Sequence, residues 1–333
     1  MARKKRGSGK IAFWLIVLGL LGVGAVWFKS QLEGNSSGAT QNFVIAEQRG
    51  LSGVLNEFES KGIVKSGFAT KVLGVLNGAK KMVKPGVYRV SLGMSSEDAL
   101  ASLRNPIKQL VMIPEEKWIS QVAKVLETKK VAKAAEYIEL SKHSEKFKES
   151  GIPFFNNSLE GFLYPDTYNF APDIGADFVI KRQLQNFAKR TEGLGLTKEK
   201  MRRTIIIASM LEKEASDYKE KQMIAGVIEN RLMRKMRLQI DATINYAIQE
   251  WRPLVYKDYI NVKSPYNTYL VDGLPPGPIC SPTLKSIEAA LHPIKHRYMY
   301  YITMPDKITR FTATYPEHLV NVKLRDTIKA KKK

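Results

Sequence analysis

An uninterrupted apolar run from Ile11 to Phe28 constrains this 333-residue chain more than any other feature. Eighteen helical residues rise roughly 27 Å, close to the thickness of the hydrocarbon core of a bilayer. A secretory signal peptide also begins with a basic region, but its apolar stretch is usually shorter and ends in small residues. Here the run ends in Val26, Trp27, Phe28 and Lys29, which favours an uncleaved anchor over a signal peptide.

The residues before the apolar run predict the orientation of that anchor. The basic side chains there are Arg3, Lys4, Lys5, Arg6 and Lys10. By the positive-inside rule, residues 1–10 stay in the cytoplasm and residues 11–28 form a single-pass transmembrane helix. Everything after residue 28 is then outside the cytoplasmic membrane, in the periplasm if the cell is Gram-negative. Residues 29–42 are rich in Ser, Gly, Asn and Gln, which is typical of a flexible linker.

The charge of the chain indicates an anionic partner. Lys and Arg number 53 against 32 Asp and Glu, a formal net charge of +21. A chain outside the membrane rarely meets nucleic acid, so we expect anionic wall polymer or lipid and no nucleic acid. Cys280 is the one cysteine and the four histidines are scattered. No metal ligand set is indicated, and we expect neither metal nor cofactor.

The remainder of the chain predicts an α+β fold in two parts. A strand, turn and helix pattern begins near Phe43 and recurs near Leu110, with a strand and a helix capped by Ser95 or Ser96 between them. We therefore expect duplicated small α+β modules over residues 43–150, serving either as a scaffold or as carbohydrate binders. Residues 151–326 predict a mixed α+β domain, and residues 327–333 a basic solvated tail.

The segment TIIIASMLEKEAS offers a candidate catalytic carboxyl group. Glu214 follows Ile207, Met210 and Leu211 by seven, four and three positions, so it continues the apolar stripe of a helix. Glu212 points to a different flank. A carboxyl group on an apolar face has a raised pKa, as a general acid requires at neutral pH. The alternative is that EKE is a solvated helix end with ordinary salt bridges.

Polar and aromatic side chains suited to sugars follow this helix. Amides, guanidinium groups and hydroxyls can recognise sugar hydroxyls and acetamides, and tyrosine rings offer flat apolar faces. The candidate binding residues are Asn230, Arg231, Gln239, Asp241, Thr243, Tyr266, Asn267, Thr268 and Tyr269.

Five segments resemble, in order, the motifs of the YceG-like endolytic murein transglycosylases: EGFLYPDTY, ASMLEKEAS, VIENRLMRKMRLQIDATINYA, SPYNTYLVDGLPPGPICSP and IEAALHP. The resemblance spans roughly residues 40 to 325. It implies LysM-like modules before a catalytic domain that cuts the bond between N-acetylmuramic acid and N-acetylglucosamine in peptidoglycan strands. The products carry 1,6-anhydro ends, and the cut limits strand elongation. It also implies that one glutamate does this work, which we assign to Glu214 with Glu212 in reserve.

Two other functions fit the same residues. A hydrolytic muramidase would share the substrate but release reducing ends. A membrane-anchored scaffold would bind glycan strands without cutting them and recruit peptidoglycan synthases, which are also expected partners of the enzyme.

Overall fold

The apolar run lies in α1 (Ser8–Leu32), which extends beyond the predicted span at both ends. The computed structural model describes residues 8–35, 38–45 and 47–331. Within those ranges, α1 is the one helix long and apolar enough to cross a membrane, over Phe13–Leu32 with a mean hydropathy of 1.8. None of this stretch is buried in the protein. Its length and composition therefore fit a membrane anchor.

The described chain divides into two units, and the division differs from the predicted boundary near residue 150. The first unit runs to Gln109 and includes Phe170–Ile174, and the second takes the rest from Leu110. The reason is strand pairing: β5 (Leu110–Met112) pairs antiparallel with β6 (Thr167–Asn169). The second strand, turn and helix pattern thus belongs with the later domain and not with the first module.

After α1, the first unit is a small α+β unit with its own core. Its elements are β1 (Thr40–Ile45), β2 (Arg49–Gly50), α2 (Leu51–Ser60), α3 (Gly67–Leu76), β3 (Met82–Val83), β4 (Gly86–Ser91) and α4 (Ser96–Arg104). β1 pairs antiparallel with β4, and β2 with β3. Alternate residues Phe43 and Ile45 of β1 point into a core with Phe58 of α2 and Tyr88 of β4.

Side-chain caps begin two helices of this unit. The Ser66 hydroxyl accepts a hydrogen bond from the backbone N–H of Ala69 at the start of α3, and Ser95 does the same for Asp98 in α4. Of the two predicted caps for α4, the protein uses Ser95. Each hydroxyl satisfies a backbone donor that has no partner inside the helix.

The second unit is mainly helical. Besides β5, β6 and a 3-10 helix (Ser144–Ser150), it contains α5 (Ile119–Thr128), α6 (Ala134–Leu140), α7 (Ala176–Thr191), α8 (Lys198–Glu214), α9 (Tyr218–Met233), α10 (Asp241–Ala247), α11 (Tyr256–Asn261), α12 (Leu284–Leu291), β7 (Tyr300–Thr303), β8 (Thr309–Thr312) and α13 (Tyr315–Lys331). α13 continues into the predicted basic tail because Lys and Ala favour helix. Lys332 and Lys333 of that tail lie outside the described residues.

Helix α8 lies at the centre of this unit, in contact with α9, α10 and α12. Every residue of α8 from Thr204 to Glu212 is buried, so neighbours cover more than one face. Ile206, Met210 and Leu211 belong to a core with residues of α9 and α12. A helix packed this closely holds its C-terminal turn in one place, and Glu214 is its last residue.

Gly161, in the segment LEGF, allows the chain to pass close to α8. Its φ is +93°, and a Cβ there would lie 2.5 Å from Cγ of Pro278 and 2.8 Å from Cγ2 of Ile205. Gly175 has a similar φ of +91° but open space around it. Comparing alanine substitutions at the two glycines therefore distinguishes the cost of backbone strain from the cost of steric overlap.

We predict that Gly161→Ala lowers the free energy of unfolding by about 3 kcal/mol or more, because strain and overlap add. Gly175→Ala costs only the strain, about 1 kcal/mol. Thermal unfolding of the two variants beside the unaltered chain measures the difference. Equal losses would show that the contact of Gly161 with Pro278 and Ile205 does not constrain the fold.

Candidate active site

Glu214 ends α8 at the edge of a cavity of about 570 Å³ in the second unit. The helix stops there because Ala215 takes an extended conformation, and Asp217 then caps α9 by accepting from Glu220 N–H. Glu214 is partly buried, as the apolar stripe predicted. Its carboxyl group thus reaches the cavity from a fixed helix end.

The β7–β8 hairpin supplies the hydrogen-bond partner of this carboxyl group. The hydroxyl of Tyr301 in β7 donates a hydrogen bond to Oε2 of Glu214 at 2.9 Å. Burial raises the pKa of Glu214, the hydrogen bond from Tyr301 lowers it, and the negative charges of Asp241 and Glu220 raise it, which together bring it to about 7. Near neutral pH, Glu214 therefore exists in both protonation states and can give or take a proton.

Glu212, two residues earlier, has a different environment. It is 2% exposed, more buried than Glu214, because α9 and α12 cover its flank. Its Oε2 accepts from Thr283 N–H at 2.9 Å and from Thr283 Oγ1 at 2.8 Å, and its Oε1 lies 3.4 Å from Lys221 Nζ. These contacts tie α8 to α9 and to the start of α12, so the position of Glu212 favours a structural role.

Glu212 also borders a second cavity, of about 400 Å³, that Glu214 does not line. Charged side chains there pair with one another: Lys221 faces Glu212, and Arg190 contacts Asp166 at 3.0 Å. These two pairs neutralise part of the charge in the cavity, whose lining also includes Glu115 and Lys285.

Four of the predicted binding residues line the cavity with Glu214: Arg231, Gln239, Asp241 and Tyr269. Asp241 accepts from the Tyr269 hydroxyl at 2.6 Å. Gln239 has a φ of +53° and is held by a backbone bond from its N–H to Thr268 O. Arg231 donates to the carbonyls of Leu238 and Met299 at 2.7 Å, so its guanidinium supports the wall instead of facing a ligand.

The other predicted residues do not line this cavity. Thr243, Asn267 and Thr268 are fully buried and hydrogen-bonded inside the protein, and their sugar-binding role stays a prediction. Asn230 donates to the carbonyls of His296 and Tyr298 and so fixes the approach to β7. Tyr266 packs against Tyr246, with ring centroids 4.8 Å apart, outside the lining of the cavity.

The sequence analysis missed Tyr301 and Trp251, both of which line this cavity. Tyr301 lies in YMYYIT, which predicts a strand but gives no sign of which tyrosine meets Glu214. Trp251 follows α10 in a polar loop and lacks any recognisable spacing to Glu214. Only tertiary packing brings these residues together.

A second buried carboxyl group belongs to Glu160 of EGFLYPDTY, which is 5% exposed. It accepts from Ile119 N–H at 3.1 Å and from the Tyr246 hydroxyl at 3.5 Å. Burial raises the pKa of Glu160 to about 8. Glu160 lines neither cavity described above, and its carboxylate accepts from the first residue of α5, which favours a structural role.

Comparison with known proteins identifies relatives across most of the chain. The model of the YceG-like family matches residues 43–324. An endolytic murein transglycosylase of Bacillus subtilis (strain 168) is 30% identical over 322 residues, which cover 90% of this chain and 89% of that protein. One of Streptococcus pneumoniae serotype 2 is 27% identical over 296 residues, 78% of this chain and 53% of that protein.

A solved structure is similar as well. The crystal structure of a yceG-like protein from Listeria monocytogenes matches with a TM-score of 0.57 and 28% identity. The match covers 84% of this chain and 97% of that one.

Substitutions at Glu212 and at Glu214 should differ in their effects on the free energy of unfolding. We predict that Glu212→Ala lowers the free energy of unfolding by about 3–5 kcal/mol, because it leaves Lys221 buried without its partner. Glu214→Gln should cost less than about 1 kcal/mol, since the amide can still accept from Tyr301.

Thermal unfolding of the full chain measures both effects. A double variant, Glu212→Met with Lys221→Met, should recover part of the loss because neither charge remains buried. Equal unfolding temperatures for Glu212→Ala and the unaltered chain would contradict the structural role of Glu212.

Proposed function

The chain belongs to the YceG-like family, and on that premise we propose that it is an endolytic murein transglycosylase. This activity is the one named for its Bacillus and Streptococcus relatives. Its substrate is the glycan strand of peptidoglycan, cut within the strand between N-acetylmuramic acid and N-acetylglucosamine. The new muramoyl end closes as a 1,6-anhydro ring, and cutting of new strands limits their elongation.

One observation carries this proposal: a partly buried carboxyl group with a pKa near 7 lies at the edge of a cavity large enough for sugar units. A fully solvated glutamate is almost entirely ionised at neutral pH and cannot donate a proton efficiently. Desolvation at the end of α8 maintains a population of the acid form. That form is what cleavage of a glycosidic bond requires.

In the proposed mechanism, Glu214 serves first as acid and then as base. Its proton goes to the glycosidic oxygen as the bond to the muramoyl C1 breaks and positive charge develops on the ring. The C6 hydroxyl of the same sugar attacks C1, and its proton returns to the Glu214 carboxylate. No water is consumed and the proton balance closes, so one carboxyl group can suffice.

Tyr301 and Asp241 tune the acid in opposite directions. The hydrogen bond from Tyr301 favours the charged carboxylate and orients it, while the charge of Asp241 favours the protonated form. Gln239, Asp241 and Tyr269 line the cavity beside Glu214 and offer amide, carboxylate and phenol groups to sugar hydroxyls. We assign the strand-holding role to these three.

The finer features of the placement in the cell belong to the same proposal. α1 spans the cytoplasmic membrane once, with residues 1–10 in the cytoplasm and the chain after residue 28 outside. The first unit contains a LysM-like module, in which the paired strands β1 and β4 precede and follow helices α2 and α3 in the chain. Peptidoglycan synthases are the expected protein partners. The net charge of +21 favours the anionic wall and lipid headgroups.

Hydrolysis is the alternative reaction, and the presence of a second carboxyl group, that of Asp241, favours it. Hydrolytic glycosidases generally use two carboxyl groups, and Asp241 lines the same cavity as Glu214. The scaffold hypothesis predicts binding without any cleavage. Product mass separates the three functions, because a hydrolytic product is heavier than the anhydro product by one water.

We predict that Glu214→Gln, which removes the transferable proton, reduces the release of anhydro-ended fragments from purified glycan strands by at least about 100-fold. Asp241→Asn should still give anhydro ends, because lytic cleavage needs no second carboxylate. Mass spectrometry of the products reads both results. Water-containing products from the unaltered chain, abolished by Asp241→Asn, would identify a hydrolase instead. Intact strands with the unaltered chain would favour the scaffold.

The pH dependence of kcat provides a further prediction. The acid form of Glu214 is lost as the pH rises, so kcat should decline above about pH 7. Tyr301→Phe removes a bond that lowers the pKa, so the decline should move to higher pH. Asp241→Asn removes a charge that raises the pKa, so the decline should move to lower pH.

Rates of strand cleavage between pH 5 and 9, roughly the range in which such a group titrates, measure these shifts. Opposite displacements by the two variants support Glu214 as the acid. Identical profiles for both variants and the unaltered chain would rule it out.

A further inference from the structure

Trp251 presents a large apolar ring to the cavity that contains Glu214. It is 52% exposed, although an indole ring is usually mostly buried in a folded protein. The ring lies in the loop between α10 and α11, next to Arg252, Pro253 and Leu254, which also line the cavity. An exposed ring at the edge of a polar cavity is a feature that ligand stacking would explain.

The loop that carries Trp251 is rigidly held. Arg252 makes a two-pronged ion pair with Asp258 of α11, at 2.7 and 2.8 Å, and Val255 N–H donates to the same carboxylate at 2.7 Å. Two residues before Trp251 in the chain, the Gln249 side chain accepts a hydrogen bond from the Ser120 hydroxyl at 2.9 Å. The ring is therefore fixed before any ligand arrives, so binding costs little entropy there.

The ammonium group of Lys213 lies over one face of the Trp251 ring. It lies 3.9 Å from the centroid of Trp251, and the Lys213 side chain is 4% exposed. It also donates to the backbone carbonyl of Glu116 at 2.6 Å. Because Lys213 immediately precedes Glu214, the helix end that positions the carboxyl group also positions the indole.

We propose that Trp251 is a stacking platform for a pyranose ring of the bound glycan strand. This inference rests on the proposed function for its substrate class and adds a binding residue to the site. The C–H groups on one face of a pyranose can cover an indole and remove apolar surface from water. Stacking on Trp251 holds the strand along the wall of the cavity while Glu214 meets the scissile bond.

The experiment uses the full chain in detergent with Glu214→Gln as the parent, so that strands stay intact. The probe is soluble glycan strands freed of their peptides, and calorimetry gives Kd. Trp251→Ala should raise Kd at least about tenfold, as for other central aromatic contacts. Trp251→Phe keeps an aromatic ring and should raise Kd only about threefold.

Tryptophan emission provides a second signal. The other three tryptophans are Trp14 and Trp27 in α1 and Trp118, which is 1% exposed. Strand binding should therefore change the emission of the parent through Trp251, and the change should disappear in Trp251→Phe while calorimetric binding persists. A merely structural tryptophan would not produce this pattern.

Tyr256→Ala is the matched control. This exposed aromatic residue follows five positions later and does not line the cavity, so its loss should leave Kd unchanged. Equal Kd for Trp251→Ala and the parent, an equal loss in Tyr256→Ala, or a parent that binds no strands would each overturn the proposal. Product mass from the unaltered chain reports separately on the proposed function, so the two failures can be told apart.

Discussion

Desolvation of one carboxyl group at the end of α8 is the constraint on which the site depends. α9, α10 and α12 pack around α8 and fix the position of its last turn, so that Glu214 enters the cavity partly withdrawn from water. Tyr301 gives the carboxylate one strong partner without making it permanently charged. The packing of the helical core thereby provides a carboxyl group that can donate a proton near neutral pH.

The contrast between Glu212 and Glu214 shows how burial and partners assign roles. Glu212 is deeper, yet it meets the Lys221 ammonium and two donors of Thr283, which fix it as a link among three helices. Glu214 accepts a hydrogen bond from the neutral hydroxyl of Tyr301 and lines a cavity. Lys213 between them faces the Trp251 ring. Three successive residues thus have three separate tasks, decided by what packs against each of them.

The periodicity of apolar residues predicted the α+β class, the membrane-length helix and the placement of Glu214 on a buried stripe, because these are local properties. It could not predict that the segment after Leu110 pairs with β6, since that contact spans more than 50 residues of chain. The side-chain chemistry of Asn267 and Thr268 predicts sugar binding, but it could not show that both side chains are buried and bonded to backbone groups. Trp251 and Tyr301 reach the site only through tertiary packing.

The most direct test of the central claim is the titration of Glu214 itself. Carbon-13 NMR of glutamate-labelled protein follows each carboxyl group with pH, and a Glu214→Gln spectrum identifies the signal that belongs to residue 214. The account predicts a midpoint near pH 7 for that signal, distinct from Glu160 near 8. A midpoint at the ordinary glutamate value of about 4.3 would contradict the account, because Glu214 would then carry no proton to donate.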